Sequence, residues 1–72
     1  MTKQELKTWM LETFPQFSVV RDDESRTLFS GVFDRDASNE MWKAVNKKTS
    51  EAGLRAYLNI QGDKYWVEVI WK

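Results

Sequence analysis

The sequence predicts a small α+β domain with the element order αββαββ, in which two hairpins form an antiparallel sheet and both helices pack on one face of it. Three observations carry that expectation. Two stretches place apolar residues at three- and four-residue spacing, the pattern of an amphipathic helix. Each is followed by a pair of alternating stretches divided by a short polar turn, the pattern of a hairpin. Gly62-Asp63 divides the last pair as a two-residue connection with glycine first, which is the composition of a type II′ turn. Sequential hairpins pair antiparallel, and each helix has one apolar stripe to bury, so one covered sheet face accommodates both.

Taken in order, Thr2 and Glu5 stand at capping-box spacing and start the first helix. Leu6, Trp9, Met10 and Thr13 form its stripe, widened by Leu11 and Phe14, and Pro15 closes it by biasing Phe14 out of the helical region. From Gln16 the period becomes two: Phe17, Val19 and Arg21 alternate with Ser18 and Val20, and Asp22 to Ser25 make a turn. The segment from Thr27 to Asp34 returns, with Phe29 and Phe33 assigned to the core face and Leu28 and Val32 to the other. Gly31 between them marks a bulge or a close helix approach. Asp36 and Ser38 are the candidate N-caps of a second helix ending at Gly53, with Met41, Trp42, Val45, Thr49 and Ala52 buried and Lys43, Lys47 and Lys48 on the far side. The αββ order occurs twice, although the halves are not alike in sequence.

Pairing outward from Gln61 and Lys64 sets Ile60 against Tyr65, Leu58 against Val67, Ala56 against Val69 and Leu54 against Trp71 on one face. The expected core is Leu6, Trp9, Met10, Phe17, Val19, Phe29, Phe33, Met41, Val45, Leu58, Val67 and Val69. The opposite face of the last hairpin carries Arg55, Tyr57, Asn59, Trp66, Glu68 and Ile70. A face meant only for water does not usually combine Tyr, Trp and Ile.

Seventy-two residues make a single domain, spanning 1–72, near the size at which one core supplies only about 3–5 kcal/mol. The chain has neither Cys nor His, which removes disulfides and leaves zinc without credible ligands. Four Trp, four Phe and two Tyr compensate with large apolar areas. Eleven basic residues balance eleven acidic ones, so the global field of a dedicated phosphate-backbone binder is missing. No apolar run reaches membrane-spanning length and no signal-peptide pattern occurs, so the expected location is cytoplasmic and no membrane association is expected.

Catalysis lacks its usual inventory: no His, no Cys, and no base or oxyanion signature around the Ser and Thr residues. The acidic groups Asp22-Asp23-Glu24 and Asp34/Asp36 read as a solvated turn and a helix N-terminus rather than as catalytic or metal-binding pairs, and no cofactor is expected. The expectation is therefore a non-enzymatic protein–protein interaction module. The profile is that of small regulatory or inhibitory proteins such as bacteriophages often encode, an analogy of size and missing chemistry. Its partner-binding residues are Arg55, Tyr57, Trp66, Glu68 and Ile70, and the partner is another protein or a second copy. In the homodimer expected on that face, centred on Tyr57, Trp66 and Ile70, Val20, Leu28 and Val32 join the contact if the first hairpin continues the sheet, and Glu68 meets Arg55 or Lys72 of the other chain. The alternative is single-stranded nucleic acid bound by Tyr57, Trp66 and Arg55. Exposed lysines are the default surface of a helix, so the lysines of the second helix read as a solvated face.

Overall fold

The capping box forms as its spacing predicts. In the computed structural model, which describes residues 2–71, the Glu5 amide donates to the Thr2 hydroxyl at 3.2 Å and the Thr2 amide donates to the Glu5 carboxylate at 3.1 Å. These bonds hold the exposed Glu5 carboxyl below its ordinary pKa, the backbone one contributing most. They open α1 (Lys3–Thr13), which ends where the Phe14 amide donates to Met10 O at 2.9 Å and Pro15 follows. Leu6 and Met10 are fully buried, while Thr13, at the end of the predicted stripe, is exposed.

Two hairpins follow in the predicted αββαββ order. The first is β1 (Ser18–Asp22) and β2 (Arg26–Val32); the second, after α2 (Arg35–Glu51), is β3 (Arg55–Gln61) and β4 (Lys64–Ile70). All neighbours are antiparallel in the order β1-β2-β4-β3, so the second strand of each αββ half is central. One core joins both helices to one face of this sheet: Leu6 and Met10 of α1, Met41 and Val45 of α2, and Phe29, Tyr65, Val67 and Val69 of the central strands. Trp9, Phe14 and Phe17 continue it as edge-to-face and tilted aromatic neighbours 5.3 to 5.8 Å apart between centroids.

The second hairpin has the predicted register from Gln61↔Lys64 to Ala56↔Val69. Gly62 has φ +64 and Asp63 does not share the positive sign, as a type II′ turn requires. The ladder stops at Arg55↔Ile70, so Leu54 and Trp71 do not pair. Instead the Trp71 amide donates to Ser25 O at 2.8 Å, and both side chains pack against the core.

The first hairpin departs from the expectation. Val19 pairs with Phe29 but Arg21 pairs with Leu28, so a bulge at Val20 reverses the alternation. Arg21 therefore faces away from the helices and Asp22, expected in the turn, ends β1 on the helix side. Its carboxylate accepts from Thr27 Oγ1 at 2.8 Å and pairs with Lys3 at 3.2 Å and with Lys7. Trp71 Nε1 donates to the same Thr27 oxygen at 2.8 Å, and Lys3 lies 5.7 Å from the Trp71 ring centroid. Val19, expected in the core, is 40% exposed because β1 is an edge strand.

The cap of α2 is Asp34, not Asp36 or Ser38. Asp34 is extended, and its carboxylate accepts from the amides of Asp36 and Ala37 at 3.2 and 3.0 Å. Ser38 is buried and its hydroxyl accepts from the Asp34 amide at 2.9 Å, so it supports the cap from inside the helix. At the other end Leu54 N–H reaches Thr49 O and Gly53 N–H reaches Ser50 O, the paired bonds of a Schellman motif with Gly53 as C′.

Candidate functional site

With both helices on one side, the other side of the sheet is uncovered among the described residues. Its composition follows from register. Tyr57 stands opposite Glu68, Glu68 opposite Leu28, and Leu28 opposite Arg21, forming one cross-strand row; Asn59, Trp66, Ser30 and Ser18 form the next. Tyr57 and Trp66 are thus diagonal neighbours on adjacent strands, close enough for aromatic side chains to touch one another's surroundings. A shallow depression of about 370 Å³ lies between them, floored by Leu28 and Glu68 and bordered by Asn59 and Gln61. Tyr57 is 50% exposed, Trp66 and Ile70 are half-buried by their neighbours, and Val20 and Val32 stand out at the β1–β2 side.

Every residue predicted for the site lies on this face: Arg55, Tyr57, Trp66, Glu68 and Ile70 alternate outward along β3 and β4. The union of the two hairpins adds Leu28 and Val32, anticipated if the sheet continued, and also Arg21 and Arg26, which were not anticipated. Arg26 changes the electrostatics. Its guanidinium lies 3.3 Å from the Glu68 carboxylate, so Glu68 has a partner in its own chain rather than needing Arg55 or Lys72 of another. Lys72 lies outside the described residues. The only sequence signal for Arg26 was its parity with Leu28, legible once Leu28 was placed outward.

Arg21, Arg26, Arg55 and Lys64 against Glu68 leave the face basic, although the chain as a whole is neutral. Arg21 is tied at 2.6 Å to Asp23, which moderates the excess at that corner. The lysines of α2 belong to the opposite layer. Lys43 sits 3.8 Å from Glu40, and Lys48 lies 5.3 Å from the Trp9 centroid, packed on α1 rather than forming an exposed stripe with Lys47. No helix among the described residues is long and apolar enough to cross a membrane.

No protein-family model matches the chain, and no curated protein matches it.

Proposed function

We propose that this protein is a non-enzymatic binding module that docks another protein on the open face of its sheet and, acting in the cytoplasm, modulates or blocks that partner. The observation that carries the reading is the placement of both helices on one side, which leaves Tyr57, Trp66, Leu28 and Ile70 in one patch on the other. The patch mixes Tyr, Trp and Arg with aliphatic side chains and carries a single Lys, the composition that distinguishes interface centres from ordinary surface. Its basic rim favours a partner whose complementary surface is acidic.

A second reading, single-stranded nucleic acid, draws on the same aromatics beside Arg55 and Arg26. It accounts less well for the patch. A carboxylate stands in the middle of the face, already holding Arg26, and Leu28, Ile70 and Val32 offer neither stacking nor charge to a nucleotide.

Affinity capture from native lysate with and without nuclease, using wild type, Trp66→Ala and Lys47→Ala, tests the proposal. The expected result is a protein retained by wild type and Lys47→Ala after nuclease treatment and lost with Trp66→Ala. Truncating a central Trp commonly costs about 2 kcal/mol or more, roughly thirtyfold in affinity. Binding that disappears with nuclease, or that falls steeply and linearly on a logarithmic salt scale, favours nucleic acid instead.

A further inference from the structure

The two edges of the sheet are unlike. β1 is short, carries the bulge at Val20, and ends in Arg21 and Asp22 with Lys3 and Lys7 gathered beside it. These are the devices that discourage a strand from adding to a sheet. β3 has none of them: it runs seven residues without Pro, Gly or bulge, its register with β4 is unbroken, and its only charged residue is Arg55 at the start.

The hydrogen-bond parity shows what β3 presents. Trp71 N–H bonds to Ser25 O and Phe33 N–H bonds to Asp63 O, so the odd-numbered residues of β4 direct their backbone groups toward β2. The even-numbered ones, Lys64 to Ile70, are then left to bond Gln61, Asn59, Tyr57 and Arg55. It follows that Ala56, Leu58 and Ile60 aim their N–H and C=O groups away from β4, where no described strand meets them. Their side chains sit on the helix side, where Leu58 and Ile60 line a cleft of about 450 Å³ under the flank of α2 together with Phe33, Asn39 and Trp42. Ile60 is 48% exposed there, although its partner Tyr65 is buried.

We propose that β3 pairs antiparallel with β3 of a second copy about a two-fold axis at Leu58, making a continuous eight-stranded sheet. The strand is its own complement: Leu58 meets Leu58, and small Ala56 meets bulky Ile60, with roughly six backbone hydrogen bonds across the seam. The helix layer fits the same operation. Strands are spaced about 4.8 Å and packed helices about 8–10 Å, so two helices span four strands, and continuing the sheet sets the two copies of α2 side by side at ordinary packing distance. Lys48 marks the α1 side of α2, so Asn39, Trp42 and Asn46 lie on the flank that meets the other copy. The two-fold runs the two copies of α2 antiparallel. The outward faces then join into one surface with Tyr57 and Asn59 of both copies at its centre. This dimer does not depend on the partner-binding reading, since it uses the sheet edge.

Sedimentation equilibrium from micromolar to millimolar concentration, together with amide exchange by NMR, provides the test. The expected result is a concentration-dependent dimer in which the Ala56, Leu58 and Ile60 amides gain protection with concentration, while those of Tyr57 and Asn59 are protected throughout. Ile60→Lys, placed at a half-exposed position and checked for folding by circular dichroism, should raise the dissociation constant about tenfold or more, and Trp66→Ala should change it less than about threefold. A monomer at millimolar concentration overturns the proposal. So does a dimer in which those three amides exchange freely, or one that Trp66→Ala alone dissociates. The amide measurement uses the unmodified chain, so it decides the matter even if Ile60→Lys fails to fold.

Discussion

Gly31 and Tyr65 face each other across the central strand pair, and the ring of Tyr65 lies directly over the glycine. A Cβ at position 31 would come within 3.0 Å of the Tyr65 ring and hydroxyl, so the large buried tyrosine occupies space that only glycine leaves free. Tyr65 is 1% exposed, and burial raises its phenol pKa; Gln16 offsets this only in part and without reaching hydrogen-bond geometry. Gly31→Ala should therefore act as an overpacking substitution and destabilise by about 1–3 kcal/mol, read as a lower urea midpoint with an unchanged slope. A mutant with the wild-type midpoint would show that the ring moves aside at no cost.

At the level of elements, Asp22 joins parts of the chain that are distant in sequence. It ends β1, takes two lysines from α1, and through Thr27 of β2 reaches the indole of Trp71. Lys7, then Thr27 and Lys3, hold its carboxyl well below the ordinary carboxylate range. The folded state thus favours the charged form. Its contribution is fully present above the ordinary pKa of about 4 and is lost as pH falls below that value toward the depressed folded one. Urea unfolding of wild type and Asp22→Asn between pH 2 and about 6 should show a wild-type advantage near neutrality that narrows with acid. Parallel curves would mean that the cluster does not couple to folding. The capping box is an independent element-level device: Thr2→Ala should cost about 1 kcal/mol, measurable by thermal unfolding.

For the molecule as a whole, one core must hold two layers together without covalent help. Leu6 and Met10 enter it completely from α1, whereas Leu58 is only partly buried because β3 lies at the sheet edge. Leu6→Ala should cost about 2–5 kcal/mol, comparable with the whole stability of so small a domain, and Leu58→Ala distinctly less. Equal losses at the two positions by chemical denaturation would indicate that β3 is covered in solution, as it is in the proposed dimer at high concentration. Repeating the comparison at low protein concentration separates those cases.

The sequence by itself determined the element order and the register of the second hairpin from its turn to Ala56 and Val69. A two-residue turn with glycine at its one positive-φ position leaves the flanking strands no room to slip, so every side chain from Ala56 to Val69 takes its face from that turn. It also placed Arg55, Tyr57, Trp66, Glu68 and Ile70 together, because period-two alternation is a local property. The first hairpin was not legible in this way. Its turn lacks glycine, and the bulge at Val20 inserts one residue, which exchanges the faces of Arg21 and Asp22. Only the tertiary structure decided what depends on β2 meeting β4: that Tyr65 is buried over Gly31, that Arg26 reaches Glu68, and that β3 rather than a central strand is left at the edge. Those contacts join residues more than thirty positions apart, and their energies belong to pairs that no local pattern of propensity or spacing describes.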